Sequence, residues 1–134
     1  MKATFIIVCA ALLCSLNATA RQDKNVPAAV KTAFLKDHAG AAKVKWEQEN
    51  GQYEASFTEH GTAMSILYTA SGAVTETETG IPVRALPKAA RDMAAAKGKI
   101  KEAARIVKNN GEVLYEAEVN GKDLLFDEKG TPVQ

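Results

Sequence analysis

The sequence contains little cysteine and no excess of charge of one sign. Its 134 residues include 2 cysteines, Cys9 and Cys14, and both lie in the apolar N-terminal stretch. Without that stretch no disulfide or thiol nucleophile remains, so stability must come from a packed core. The formal net charge is +1, from 17 basic and 16 acidic residues. This balance argues against nucleic-acid binding, which normally needs a basic surplus, and against a polybasic membrane-surface protein.

The N-terminal stretch is typical of a secretory signal peptide. Lys2 is the only charged residue among the first 20, and residues 5–16 are almost wholly apolar. That run is too short to span a bilayer but has the length of a signal-peptide core. The tripeptide that ends at Ala20 has the small-residue pattern of a signal peptidase site, which predicts removal of residues 1–20. An uncleaved anchor or a buried first helix is the alternative.

Cleavage after Ala20 places the remaining protein in the periplasm or outside a bacterial cell. Removal of the first 20 of the 134 residues leaves 114, and the loss of Lys2 leaves 16 basic residues against 16 acidic ones. We expect no membrane span in this mature chain. Lipidation at Cys14 is not expected either, because Leu13 stands where a lipoprotein signal requires a small residue.

Short motifs recur at a spacing of about 60 residues. The matched pairs are Val26-Pro27 with Leu86-Pro87, Tyr53-Glu54-Ala55 with Tyr115-Glu116-Ala117, Ile66-Leu67-Tyr68 with Leu124-Leu125-Phe126, and Gly72 with Gly130. The spacing changes only in even steps, as expected if the motifs lie on strands whose side chains alternate between two faces. The sequence therefore predicts two repeats, at about 26–79 and 86–133, within a single domain of residues 21–134.

Each repeat is predicted to be a helix followed by antiparallel strands. Pro27 and Pro87 suit the first turns of two helices, because proline lacks the N–H that such a turn leaves unpaired. Alternating apolar and polar residues separated by turns such as Asn50-Gly51 indicate the strands. We therefore expect an α+β fold, a tandem duplication of one helix and three to four antiparallel strands, with the helices packed on one face of the sheet and the other face in solvent.

Together these features resemble a known family. The chain contains, twice behind a signal peptide, a helix opened by Val/Leu-Pro, an Asn-Gly turn, Tyr-Glu-Ala and Ile/Leu-Leu-aromatic. This pattern resembles the PepSY-like family of small secreted bacterial proteins. That family is also described as similar to the β-lactamase-inhibitor protein (BLIP), and the resemblance covers about Val26 to Val133. It implies the tandem fold, an exported location and a non-enzymatic role in protein binding or inhibition. PepSY domains in protease propeptides suggest a peptidase as the inhibited enzyme.

The sequence offers no recognisable catalytic machinery. The serines outside the leader lack the G-x-S-x-G motif, the only histidines are His38 and His60, and no glycine-rich phosphate loop occurs. Glu54 and Glu116 occupy matching positions, which a duplication explains without a glycosidase mechanism. We therefore expect a protein that is not an enzyme and binds no cofactor.

Acidic residues near the strand ends leave other interpretations open. Asp123, Asp127 and Glu128 lie close together in sequence but lack the spacing of an EF-hand loop. Glu76 and Glu78 alternate with threonines, which is compatible with an acidic docking stripe or with a solvated strand face that discourages aggregation. The alternative function is accordingly that of a periplasmic carrier of a small ligand or metal ion.

The preferred hypothesis is an exported binding module for an unidentified protein partner, acting as an inhibitor of a periplasmic or secreted enzyme such as a peptidase. Strand alternation places Glu54, Ser56, Glu116 and Glu118 on the open sheet face. Leucines that fall on the same face can mark a partner site. The leucines concerned are Leu67, Leu114 and Leu125. A bulge that changes the alternation, or scattered surface leucines, would also explain them.

Overall fold

The computed structural model describes residues 25–133, which form two α-helices and seven β-strands. The helices are α1 (Ala28–Asp37) and α2 (Lys88–Lys97), with a short 3-10 turn at Val83–Ala85 before α2. The strands are β1 (Ala42–Glu49), β2 (Gln52–Glu59), β3 (Thr62–Tyr68), β4 (Val74–Gly80), β5 (Ile100–Lys108), β6 (Val113–Val119) and β7 (Lys122–Asp127). The predicted signal peptide, its cleavage site and both cysteines lie outside the described residues.

Both helices begin directly after a proline, as predicted. The carbonyl oxygen of Pro27 accepts hydrogen bonds from the amides of Val30 and Lys31, each at 3.1 Å. The carbonyl of Pro87 accepts one from Arg91 at 2.9 Å. Proline at this boundary loses nothing by lacking an N–H, while its carbonyl starts the helical hydrogen-bond ladder.

Three tight hairpins set the register of the strands. The turns are Asn50-Gly51, His60-Gly61 and Asn120-Gly121, and both residues of each have positive φ, between 49° and 78°. Positive φ at both central positions is the requirement of a type I′ turn, whose twist matches that of the flanking strands. These two-residue turns join β1 to β2, β2 to β3 and β6 to β7. The first of them is the Asn50-Gly51 turn that the sequence predicted.

The sheet itself overturns the predicted fold class. We predicted a tandem duplication in which each helix is followed by three to four strands. The strands instead form one seven-stranded antiparallel sheet in the order β1-β2-β3-β4-β5-β6-β7. The recurring motifs mark strands, turns and helix starts, and these do not determine where a sheet ends. A strand left at a sheet edge exposes unpaired backbone groups, and pairing with the next strand along the chain satisfies them.

The tail after β7 makes only an isolated bridge, between Phe126 and Pro132. Pro132 has no N–H to donate, so the tail cannot extend a regular ladder.

The chain divides into two compact units. The first unit contains residues 25–80 together with Ile106–Glu112. Its core is rich in aromatic side chains. Helix α1 covers this core and contributes side chains to it. The buried core residues are Val26, Val30, Phe34, Trp46, Ala55, Phe57, Ile66 and Tyr68. The ring of Phe34 lies edge-on to Trp46 and Phe57, with ring centroids 5.3 and 5.0 Å apart.

The second unit contains Ile81–Arg105 and residues 113–133. Its core is built mainly from small and aliphatic side chains, because α2 presents alanines to the strands. The buried core residues are Leu86, Ala90, Ala94, Ala103, Ala117, Val119 and Phe126. Among residues 25–133, neither helix has the length and apolar character required to cross a membrane.

Candidate functional site

The sequence-predicted site residues lie on the strand surface that does not form the core. In the first unit Ala55 and Ile66 belong to the core. Because side chains alternate between the faces of a strand, Glu54, Ser56 and Leu67 lie on the opposite face.

In the second unit the same alternation applies. Ala117, Val119 and Phe126 belong to the core. The face away from that core therefore carries the remaining predicted residues, Leu114, Glu116, Glu118 and Leu125.

Several of these residues are more buried than the sequence predicted. Glu54 is 9% exposed, Leu114 5%, and Glu116 and Glu118 are each 7% exposed. Their strands, β2 and β6, are paired on both sides, so that side chains of adjacent strands cover them. The remaining predicted residues, Ser56, Leu67 and Leu125, are half-buried. The expectation of a solvent-exposed face is therefore wrong for the three glutamates and for Leu114.

In the first unit a row of residues crosses four strands. Glu47 on β1 lies opposite Glu54 on β2, Glu54 lies opposite Leu67 on β3, and Leu67 lies opposite Glu76 on β4. We call these four residues the acidic row. The apolar side chain of Leu67 is thus placed between two carboxylates on a surface outside the core.

Burial raises the pKa of Glu54, and the neighbouring charges of Glu47 and Glu49 raise it further. Hydrogen bonds from the hydroxyls of Ser65 and Ser56 act in the opposite direction, because they stabilise the carboxylate. The serines offset the burial only in part, so the carboxylate of Glu54 is imperfectly stabilised in its charged form.

Burial likewise raises the pKa of Glu76. Lys108 lowers it, while Glu78, Glu54 and Glu112 raise it. The Nζ of Lys108 also lies 2.9 Å from Oε2 of Glu112, so this lysine is shared between carboxylates. The surface around Leu67 therefore has more negative than positive charge close to Glu76.

The second unit has a different charge arrangement. Glu116 lies opposite Leu125, and Glu118 lies opposite Asp123. The Nζ of Lys101 is 3.7 Å from Oε1 of Glu118. Burial raises the pKa of Asp123, and the charge of Glu118 adds to the effect. Here a leucine again neighbours a buried glutamate, but an exposed lysine partly compensates the carboxylates.

Glu47 is a member of the acidic row that the sequence interpretation missed. The signal was present, because a two-residue Asn50-Gly51 turn pairs Glu49 with Gln52 and hence Glu47 with Glu54. The sequence places Glu76 only in an acidic docking stripe or a solvated strand face. Its position opposite Leu67 depends on the longer β3–β4 connection and on a register shift near Tyr68, which no short motif specifies.

The two histidines occupy different environments. Nδ1 of His38 is 3.0 Å from Oε2 of Glu59, and the imidazole packs on Phe34 and Phe57 at the end of α1. His60 is exposed in its hairpin turn. Across residues 25–133, no group of three or more His, Cys, Asp and Glu side chains is placed to hold a metal ion.

No protein-family model and no curated protein matches the sequence. Several solved structures do resemble the fold. A Bacteroides eggerthii protein provisionally assigned to the periplasm has a TM-score of 0.71 at 21% identity, with 81% of this chain and 86% of that chain covered. A DUF2874 family protein from Bacteroides uniformis has a TM-score of 0.66 at 18% identity, with 81% and 86% covered.

A BLIP-like protein from Bacteroides fragilis has a TM-score of 0.56 at 22% identity, with 81% of this chain and 84% of that chain covered. At these identities the likeness concerns the fold. The chain therefore shares its fold with small Bacteroides proteins of the DUF2874 and BLIP-like kinds.

Proposed function

We propose that this chain is an exported, non-enzymatic module that binds a protein partner through the strand surface around Leu67. The observation that carries the proposal is the position of this leucine. It lies outside the core, half-buried, directly opposite Glu54 on one side and Glu76 on the other. Protein interfaces have an apolar centre surrounded by a polar rim, and Leu67 with its neighbouring carboxylates has this arrangement.

The charge around Leu67 indicates the chemistry of the partner. Glu54 and Glu76 both have a raised pKa because burial disfavours their carboxylates. A lysine or arginine brought close by a partner would stabilise the charged forms and lower both pKa values. The partner is therefore a protein with a basic segment next to an apolar residue. Its binding releases protons near the pKa values of these glutamates and weakens as the pH falls through them.

Export is supported by the signal-peptide pattern of the first 20 residues and by the fold shared with the B. eggerthii protein. An inhibitory effect on the partner is supported by the fold shared with the BLIP-like protein. Membership of the PepSY-like family, and a peptidase as the inhibited enzyme, depend on the sequence resemblance.

The experiment is capture from a bacterial envelope extract with the immobilised mature chain. We expect one partner to be retained by the wild type and lost with Leu67→Asp and with Glu76→Lys. Glu128→Lys is the matched control, because it changes net charge by the same amount as Glu76→Lys at an exposed residue in the turn after β7. Circular dichroism checks that every variant is folded.

Retention of the same proteins by wild type and by both folded variants would contradict the proposed surface. If the captured partner is an enzyme, its turnover is measured with increasing amounts of the mature chain. Inhibition that Leu67→Asp abolishes supports the inhibitory role, while full turnover in the saturated complex contradicts it.

A further inference from the structure

The two edges of the sheet differ in how their backbone groups are paired. At the β7 edge the C-terminal tail folds back, so that Val133 donates its amide proton to the carbonyl oxygen of Leu125 at 2.9 Å and Pro132 bridges to Phe126. At the other edge β1 pairs with β2 only, and no strand within residues 25–133 pairs with its outer side. An unpaired edge presents backbone donors and acceptors to any strand of suitable length and charge.

Charges along β1 are separated by sign. Lys43 and Lys45 precede Trp46, and Glu47 and Glu49 follow it. Lysine is the charged residue that most often protects an exposed edge against association. Equal numbers of lysines and glutamates, divided about the centre of the strand, instead complement a strand of the same sequence that runs in the opposite direction.

We propose that two copies of this chain associate by antiparallel pairing of their β1 strands about a twofold axis at Trp46. In this register Lys45 of each copy lies opposite Glu47 of the other, and Lys43 lies opposite Glu49 two residues further from the axis. Registers centred on Lys45 or on Glu47 would place two like charges directly opposite each other, which is destabilising. Charge therefore selects the register centred on Trp46, and twofold symmetry makes both halves of the contact equivalent.

The environment of Glu47 adds a second argument. Within one copy Glu47 lies opposite Glu54, so its neighbour on β2 has the same charge. Lys45 of the second copy would lie on the other side of Glu47 and supply an opposite charge. Pairing of β1 strands thus relieves a like-charge contact that exists in the single chain.

The backbone of β1 shows where the contact must be centred. Lys43 has a positive φ of 56°, and the register with β2 shifts between Ala42 and Lys45. From Lys45 to Glu49 the pairing with β2 is regular. The two Lys45–Glu47 pairs next to the axis lie in this regular stretch, so they are the contacts on which association depends most.

The test exchanges the charges of Lys45 and Glu47 and measures dimerisation. Analytical ultracentrifugation of the secreted chain over a wide range of concentration gives the extent of dimerisation. The wild type is expected to dimerise as concentration rises. Lys45→Glu and Glu47→Lys should each weaken dimerisation about tenfold or more, because each turns two attractive pairs into repulsive ones. An equimolar mixture of these two variants should form a heterodimer, and the double variant K45E/E47K should dimerise again.

Lys99→Glu is the matched control, since it makes the same change of charge at an exposed residue outside β1. Circular dichroism and the fluorescence of Trp46 confirm that each variant is folded. The proposal is overturned if the wild type remains monomeric at every concentration, if the two single variants do not associate when mixed, or if Lys99→Glu weakens dimerisation as much as Lys45→Glu does.

Discussion

Gly72 lies against the backbone of Ala29, where the turn after β3 contacts α1. A Cβ placed on Gly72 would be 2.7 Å from the carbonyl oxygen of Ala29, closer than side chains approach backbone atoms. The φ of Gly72 is also 87°, in the left-handed region that favours glycine. Two independent conditions, space and backbone conformation, therefore exclude a side chain at this position.

Replacement of Gly72 by alanine is expected to destabilise the protein more than replacement of Gly51. Gly51 has a similar φ of 78° but nothing within 4 Å of its hypothetical Cβ. Gly51→Ala should therefore cost only the conformational penalty of about 1–2 kcal/mol. Gly72→Ala should cost more than this, because its Cβ also forces α1 to move. Urea denaturation gives both free energies of unfolding, and equal losses would contradict the close contact with Ala29.

Truncation of Phe34 should remove much of the stability of the first unit. Phe34 is 3% exposed and packs against Trp46 and Phe57. Phe34→Ala leaves a cavity in this aromatic cluster, and such changes cost about 3–5 kcal/mol. Leu35→Ala on the same helix is the control, because Leu35 is 62% exposed and should change stability by about 0.5 kcal/mol or less. Thermal denaturation followed by Trp46 fluorescence measures both.

Replacement of Glu54 by glutamine should stabilise the protein at neutral pH. Burial raises the folded-state pKa of Glu54 above its ordinary value of 4.5. Such a group favours folding most below the unfolded-state pKa, and this contribution is lost as the pH rises through the folded-state pKa. Wild type should therefore lose stability relative to Glu54→Gln as the pH rises from below 4.5 to 7. Urea denaturation at both ends of this range tests the difference, and a difference independent of pH would contradict it.

The C-terminal tail should be released by substitution of Asp127. Oδ1 of Asp127 accepts hydrogen bonds from the amides of Lys129 at 2.8 Å and Thr131 at 2.9 Å, and the Thr131 bond is the main cause of its lowered pKa. Asp127→Ala removes these bonds and should raise the hydrogen-exchange rate of the Val133 amide. Glu128→Ala in the same turn is the control. Unchanged exchange at Val133 in Asp127→Ala would show that the backbone bonds alone hold the tail.

Local elements of the fold could be predicted because single residues specify them. Pro27 and Pro87 mark the helix starts, and Asn50-Gly51 fixes a hairpin register that places Glu47 opposite Glu54. The continuity of the sheet could not be predicted in this way. It depends on backbone pairing between segments that no turn motif connects, such as β4 and β5, which are separated by α2.

The sequence predicts on which face of the sheet the candidate site residues lie, but it does not predict how buried they are. Alternation alone places Glu54 and Leu67 on the face away from the core. Whether a residue on that face is exposed depends on the side chains of the adjacent strands, which must first be aligned. Glu116 and Glu118 illustrate the difference, because both lie on an interior strand and are nearly as buried as core residues.

The division of β5 between the two units has a practical consequence for dissecting the protein. A gene fragment that stops at Gly80 encodes the first unit without Ile106–Glu112. Such a fragment lacks Asn109, whose amide donates to the carbonyl oxygen of Thr75 at 2.9 Å. It also lacks Lys108, whose charge lowers the pKa of Glu76. Neither unit is a contiguous stretch of sequence, so one cleavage of the polypeptide cannot yield both intact. Studies of the first unit by fragments require Ile106–Glu112 to be supplied as well.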